Sequence, residues 1–76
     1  MENRVKEVLS VILELDVESI DNTTSSETVS EWDSLNHINI IVALEEEFDL
    51  KFDDIQIPNL KGYESIVKSI QELEGV

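Results

Sequence analysis

The sequence predicts an all-α fold: a small four-helix bundle, with three longer helices and one short helix, and a long loop between helices I and II. Three observations support this prediction. The chain has only 76 residues, apolar residues recur at helical spacing in three segments, and residues typical of turns separate those segments. Because this length only just suffices for one hydrophobic core, we expect residues 1–76 to form a single domain.

The first helix is predicted over residues 2–15, because apolar residues there follow the i, i+3, i+4, i+7 spacing of one helix face. That face consists of Val5, Val8, Leu9 and Ile12. Over residues 16–30 the helical period is lost and Asp, Asn, Thr and Ser accumulate, which predicts a long loop. The apolar residues expected to hold this loop to the core are Val17, Ile20 and Val29.

The second helix should begin at Asp33 or Ser34 and end near Phe48, with the Asp33 carboxylate as its N-cap. Its apolar residues cover more than one face, so we expect this helix to be central to the bundle and contacted on several sides. These residues are Leu35, Ile38, Ile40, Ile41, Val42, Ala43, Leu44 and Phe48.

Two further helices are predicted in the last third of the chain. A short helix over residues 53–57, capped by Asp53, should end at Pro58 and the asparagine after it. The last helix should cover residues 63–73, with Gly62 as an acceptable N-cap. Its expected core face consists of Ile66, Val67, Ile70 and Leu73.

The chain is strongly acidic, with eighteen acidic residues, five basic ones and a net charge of −13. Such a surface repels nucleic-acid phosphates and anionic lipid headgroups, so we expect neither nucleic acid nor membrane as a ligand. It attracts basic patches on partner proteins, and we expect a monomer. Solubility alone is the alternative explanation of the charge. The chain contains no cysteine, no long apolar stretch and no signal-peptide pattern at its start, which makes the cytoplasm the expected location.

Ser34 is the most informative residue of the chain. It lies at the mouth of the second helix, where free N–H groups and the positive end of the macrodipole favour a bound phosphate. Nothing nearby activates it, because the chain has one histidine and no cysteine, and no lysine is close in sequence. We therefore predict a site of modification, with no catalytic residue and no metal site. Helix capping, a common role of serine at this position, is the alternative.

A distinctive pattern of residues surrounds Ser34. It consists of Asp33-Ser34-Leu35, then Ile38, Ile40 and Ile41, then Ala43-Leu44-Glu45-Glu46-Glu47-Phe48. This pattern resembles the acyl carrier proteins and the related aminoacyl carriers. The resemblance implies that Ser34 carries 4′-phosphopantetheine, attached from coenzyme A by a phosphopantetheinyl transferase, and that its thiol holds acyl or aminoacyl groups as thioesters. It implies a carrier that is not itself an enzyme, with Asp33 beside the prosthetic group.

The resemblance also places partner docking on the second helix, through Leu35, Asn36, Asn39, Glu45 and Glu46. The expected partners are the transferase and enzymes that load or transfer acyl or aminoacyl groups and carry basic docking patches. The run Glu45-Glu46-Glu47 lies near a helix C-terminus, where acid opposes the macrodipole, and this favours docking over local stability as its role. Fatty-acid-type carriers usually have acidic residues in place of Asn36 and Asn39. A specialised biosynthetic pathway therefore competes with fatty acid synthesis as the setting.

Ile38, Ile41 and Val42 have two interpretations. They belong to the core of the bundle or, as the resemblance implies, they line a cavity that expands for the acyl cargo. Their branched side chains suggest a narrow interior, which suits a short cargo or a polar one left in solvent. We expect His37 to be an exposed polar residue on the same side of the helix as Ser34, and Trp32 to pack the end of the long loop against the core.

The alternative from a different class is an acidic helical module that binds proteins or cations and carries no prosthetic group. The charge and the Asp-rich turns support it. An EF-hand is excluded by spacing, because no Asp-x-Asp-x-Asp-Gly loop occurs. Replacing Ser34 with alanine distinguishes the two classes, since it should abolish the function of a carrier and barely affect a binding module.

Overall fold

The computed structural model describes residues 1–75 and has an all-α architecture. Its α-helices are α1 (Glu2–Leu13), α2 (Ser34–Phe48) and α3 (Tyr63–Glu74). Two short 3₁₀ helices, Val17–Ser19 and Ile57–Asn59, lie in the connections. No β-strand occurs within residues 1–75, so the predicted all-α class is confirmed. Over the same residues no helix is long and apolar enough to cross a membrane, since the longest has 15 residues.

Helix α1 packs against both other α-helices and ends two residues earlier than predicted. The reason is local. Glu14 adopts the left-handed conformation (φ 57°), and its N–H bonds to the carbonyl of Ser10, as does the N–H of Leu15 (3.2 Å). These bonds satisfy carbonyl groups at the helix end and turn the chain away from the helix axis. Leu15 nevertheless packs against the core, from a position beyond the helix.

Helix α2 begins at Ser34 and ends at Phe48, as predicted. The expectation that it is central to the bundle and contacted on several sides is wrong. Its buried residues are Ile40, Ile41, Leu44 and Phe48, whereas Leu35, Ile38 and Val42 are 72 %, 53 % and 48 % exposed. The molecule measures only 20 Å along its shortest axis, about two helix diameters, so α2 has helical neighbours on one side and solvent on the other.

The core draws on all three α-helices and on the connections. Its buried members are Val5, Leu9, Leu13, Ile20, Trp32, Ile40, Ile41, Leu44, Phe48, Phe52, Leu60, Tyr63, Ile66, Val67 and Ile70. Trp32 packs the end of the long loop into this core, as predicted, and Val29 packs against it. Two expected core residues, Val17 and Leu73, are exposed instead. Each lies near the end of a helical segment, where no neighbouring segment covers it.

The predicted short helix over residues 53–57 is also wrong in position. A turn covers residues 54–56, and the helical segment that follows is the 3₁₀ helix Ile57–Asn59. Pro58 therefore lies at the start of this helix and does not terminate the preceding one. Proline is tolerated there because its missing N–H has no partner to lose in a first turn. Asp53 contributes its backbone N–H to Gln56 Oε1 (3.0 Å), and the 3₁₀ helix has no side-chain cap.

The long loop is tied to the start of α3 by main-chain hydrogen bonds. The N–H of Ser26 donates to the carbonyl of Lys61 (2.8 Å), and the N–H of Tyr63 donates to the carbonyl of Thr24 (3.0 Å). Gly62 lies between these contacts as the N-cap of α3, and a Cβ added there would meet the Thr24 carbonyl oxygen at 3.4 Å. These bonds hold the loop against the start of α3, near the beginning of α2.

Candidate functional site

Ser34 is the first residue of α2, and its side chain is exposed. The preceding residue, Asp33, is extended and forms the N-cap: its Oδ1 accepts a hydrogen bond from the N–H of Asn36 at 2.9 Å. The cap that this helix needs is therefore supplied by Asp33. The alternative explanation of Ser34 as the capping residue is therefore wrong, and its exposed hydroxyl is not needed as the cap.

The electrostatic setting of Ser34 favours a phosphoryl group. The first turn of α2 contains no acidic side chain, and the helix is 15 residues long. Backbone N–H groups in the first turn of a helix lack intrahelical partners, and the macrodipole adds a partial positive charge at the same end. Asp33 accepts the N–H of Asn36, and a phosphodiester oxygen on Ser34 would meet the N–H groups that remain at the start of the helix. The residues present therefore fit a phosphate attached at this position.

A surface depression of about 560 Å³ lies beside Ser34, between α2 and the segment before α3. Apolar side chains form much of its wall: Trp32, Ile38, Ile57 and Pro58. Its polar lining consists of Ser26, Asp33, Ser34, His37 and Lys61. A mixed lining of this size suits a long, flexible group that carries both apolar carbons and amides. The depression therefore offers space for a group attached at Ser34.

His37 is not the exposed polar residue that the sequence predicts. It is half-buried, and both ring nitrogens are used. Trp32 Nε1–H donates to His37 Nδ1 (3.1 Å), and His37 Nε2 lies 2.8 Å from the carbonyl oxygen of Ile57. Since a carbonyl only accepts, Nε2 carries the proton in this arrangement. The signal that was missed is spacing: His37 precedes Ile41 and Leu44 at the interval of the buried face of α2.

The predicted docking residues differ in how free their side chains are. Leu35 and Asn39 are exposed beside Ser34 and one turn further along. Asn36 is half-buried and its side chain is already hydrogen-bonded. Its Nδ2 donates to the carbonyl of Glu31 at 2.8 Å, and its Oδ1 accepts from Asn39 at 3.3 Å. Asn36 therefore helps to hold the end of the long loop against α2.

The acidic run at the end of α2 has local roles that the sequence reasoning missed. Glu45 Oε2 accepts the N–H of Phe52 (2.9 Å), which fixes the turn after the helix. Glu47 pairs with Arg4 Nε at 2.8 Å, and the Arg4 guanidinium lies 4.4 Å from the centre of the Phe48 ring. The inference that local stability did not select these acids is therefore wrong for Glu45 and Glu47. Glu46 is exposed, on the outer face of the helix.

The three residues predicted to line a cargo cavity lie in different surroundings. Ile41 is buried in the core, whereas Ile38 lies on the wall of the depression beside Ser34. Val42 is on the outer face of α2 and about half exposed. In this structure Ile38 and Val42 therefore do not belong to the core, and the three side chains do not surround a common interior space.

Two titratable groups have shifted pKa values, and both lie away from Ser34. Hydrogen bonds from the Thr23 hydroxyl (2.6 Å) and backbone lower the pKa of Asp21, and burial, with the charge of Glu2, raises the pKa of Tyr63. Neither residue lines the depression beside Ser34. Within residues 1–75, no group of three or more metal-ligating side chains is placed to hold a metal ion.

Comparison with known proteins connects this geometry to a chemistry. A family model described as "Phosphopantetheine attachment site" matches residues 3–72. The chain is 39 % identical over 75 residues to an acyl carrier protein of Buchnera aphidicola subsp. Schizaphis graminum, covering 99 % of this chain and 91 % of that protein. It is 31 % identical over 72 residues to an acyl carrier protein of Buchnera aphidicola subsp. Acyrthosiphon pisum, covering 95 % and 90 %. An acyl carrier protein homolog of Mycoplasma genitalium is 35 % identical over 57 residues, covering 72 % and 68 %.

Proposed function

This chain belongs to the acyl carrier protein family, and we propose that Ser34 is the residue to which its covalent 4′-phosphopantetheine group is attached. Members of this family are carriers and not catalysts. When attached, the group supplies a terminal thiol that holds an acyl group as a thioester. The observation that carries the assignment to Ser34 is its position: it is exposed at the first turn of α2 while Asp33 provides the cap.

The part played by this chain in attachment is to present Ser34. The Ser34 oxygen forms a new bond to phosphorus and loses its proton, and the P–O bond to the nucleotide portion of coenzyme A breaks. The base and the metal ion for this step would come from the transferase. Asp33 fixes the first turn through Asn36 N–H and so holds Ser34 in one orientation. The N–H groups at the start of that turn that Asp33 does not use would then face the phosphate.

We further propose that partner enzymes dock on the outer face of α2, which we name the docking face: Leu35, Asn36, Asn39, Glu45 and Glu46. The transferase and enzymes that load or transfer acyl or aminoacyl groups would reach Ser34 from this side. The net charge of −13 supports partners with basic patches, and the exposed carboxylate of Glu46 is the clearest local contact. Leu35, 72 % exposed next to Ser34, offers an apolar anchor at the point of reaction.

The pathway we propose is either fatty acid synthesis or a specialised biosynthetic route, and Asn36 and Asn39 support the second. Asn36 donates to the carbonyl of Glu31, a bond that an aspartate at that position could not make. The end of the docking face nearest Ser34 thus carries no negative charge. It therefore suits partners that bind fewer acidic residues there. We place the protein in the cytoplasm as a monomer, since the absence of cysteine and the high charge suit both.

The test of carriage uses a broad-specificity phosphopantetheinyl transferase with butyryl-coenzyme A or, separately, alanyl-coenzyme A. The expected product is the intact protein plus one acylated phosphopantetheine, from which neutral hydroxylamine removes only the acyl part. A product resistant to hydroxylamine would contradict the thioester. An absence of any product would favour the acidic binding module.

Docking is tested by the rate of the same loading reaction. Glu46→Lys should slow it about two- to tenfold at low salt, with the difference narrowing as salt rises. Glu18→Lys is the matched control, since Glu18 is an exposed glutamate on the 3₁₀ helix Val17–Ser19, outside the docking face. Equal slowing by both variants would mean that only the overall charge matters.

A further inference from the structure

His37 connects three segments at the base of the depression beside Ser34. Its ring, on α2, accepts from Trp32 at the end of the long loop and donates to the carbonyl of Ile57 in the 3₁₀ helix. We name these three residues and their two hydrogen bonds the histidine bridge. It is the contact by which α2 holds both the residue two positions before Ser34 and the segment across the depression.

The histidine bridge separates the depression from the core. Trp32 and Ile57 both line the depression, while Trp32 is a member of the core and Ile57 packs against it. On α2, His37 lies one turn after Ser34 and one turn before Ile41, which is 4 % exposed. A chain that starts at Ser34 and follows the buried face of α2 therefore meets the His37 ring before it reaches Ile41.

We propose that His37 is a positioning residue that closes the interior of the bundle to the carried acyl group, so that the cargo lies in the surface depression. This inference rests on the proposed attachment at Ser34. Entry to the interior would require α2 and the 3₁₀ helix to separate, which breaks the bond from His37 Nε2 to the Ile57 carbonyl. Half-buried polar groups that lose their partners resist such a movement. The bridge therefore selects short acyl groups, or groups with polar ends that stay in water.

The depression offers a place for such a cargo. Its volume is about 560 Å³, within the range of small-molecule sites. Ile38 and Pro58, both exposed, form apolar walls outside the histidine bridge. This explains the exposure of Ile38, for which the sequence left open the core and a cargo cavity: its side chain lines the depression on the surface.

The test compares carriers loaded at Ser34 with a butyryl or an octanoyl group, in protein with ¹³C-labelled isoleucine and leucine methyls. In the natural chain the octanoyl group should shift the Ile38 methyl signal and leave those of Ile41 and Leu44 as they are with butyryl. Both thioesters should react with hydroxylamine at the same rate. In His37→Ala, octanoyl should shift the Ile41 and Leu44 signals and react about three- to tenfold more slowly than butyryl.

Two further variants separate this role from a purely structural one. Trp32→Phe keeps an aromatic ring and removes the N–H donor. It should therefore shift the Ile41 and Leu44 signals of the octanoyl carrier and slow its reaction with hydroxylamine, both by less than His37→Ala does. If His37→Ala does not fold, Trp32→Phe replaces it in the test. Asn59→Ala, on the same 3₁₀ helix, removes only a contact within that segment and should behave as the natural chain. A loss of stability alone would affect butyryl and octanoyl carriers equally.

The outcomes distinguish the inference from the function on which it rests. A chain that gains no phosphopantetheine refutes the attachment at Ser34. If the natural chain gains the group but its octanoyl form shifts the Ile41 methyl signal, only the role of His37 is overturned. The same conclusion follows if His37→Ala, folded and loaded, treats both acyl groups alike.

Discussion

Asp33 allows the capping of α2 to be separated from the charge at its N-terminus. In Asp33→Ala, the N–H of Asn36 loses its acceptor at 2.9 Å and the helix loses a negative charge at its positive end. A lost N-cap costs about 1 kcal/mol, and the charge adds about 0.3–1 kcal/mol at low salt. The expected loss in free energy of unfolding is therefore about 1–2 kcal/mol. For a domain of this size this lowers Tm by about 5–15 °C.

Asp33→Asn is the matched variant, because asparagine keeps an acceptor oxygen and removes only the charge. It changes the net charge from −13 to −12, which relieves some repulsion, so we expect a loss of less than about 0.5 kcal/mol. Urea denaturation followed by the fluorescence of Trp32, the one tryptophan, measures both variants. Equal losses in the two would refute capping as the role of Asp33, and a loss below about 0.3 kcal/mol in the alanine variant would refute the hydrogen bond as stabilising.

Three other predictions concern stability. Leu9→Ala, at a fully buried position, should lower the free energy of unfolding by about 2–5 kcal/mol, whereas Val11→Ala, 78 % exposed on the same helix, should change it by less than about 0.5 kcal/mol; urea midpoints check both. Burial holds the pKa of Tyr63 above its ordinary value of 10.0, so the unfolded chain loses the proton first and stability falls as pH rises past that value. The fall in the urea midpoint between pH 9 and pH 11 should be smaller in Tyr63→Phe than in the natural chain. An equal fall in both would show that other groups cause the loss of stability. Added sodium or magnesium chloride should raise Tm by screening the charge of −13, and a flat or falling Tm would show that repulsion does not limit stability.

The sequence predicted those features that depend on neighbours along the chain. The Asp33 cap, the start of α2 at Ser34 and the burial of Ile66, Val67 and Ile70 on α3 all follow from local preferences and helical spacing. The same reasoning failed where the burial of a residue depends on how many segments pack against its helix. Ile38 and Val42 fit the pattern of a central helix, but α2 is packed on one side only, and an apolar pattern does not state how many sides are covered.

Hydrogen bonds between distant segments could not be predicted from the sequence either. The partner of His37 is a backbone carbonyl twenty residues away, and any residue type at that position would supply the same acceptor. The use of Glu45 to hold the N–H of Phe52 has the same character, since it depends on the path of the turn after α2. A histidine placed on the buried face of a helix was the one available sign of such a contact.

The central claim, that Ser34 carries the prosthetic group, is tested most directly by intact mass after incubation with coenzyme A, magnesium and a broad-specificity phosphopantetheinyl transferase. The natural chain and Ser30→Ala, a control serine in the preceding loop, should each gain one phosphopantetheine, and Ser34→Ala should gain none while its Trp32 fluorescence reports a folded core. A gain in Ser34→Ala would place the group elsewhere. No gain in the folded natural chain would contradict the account.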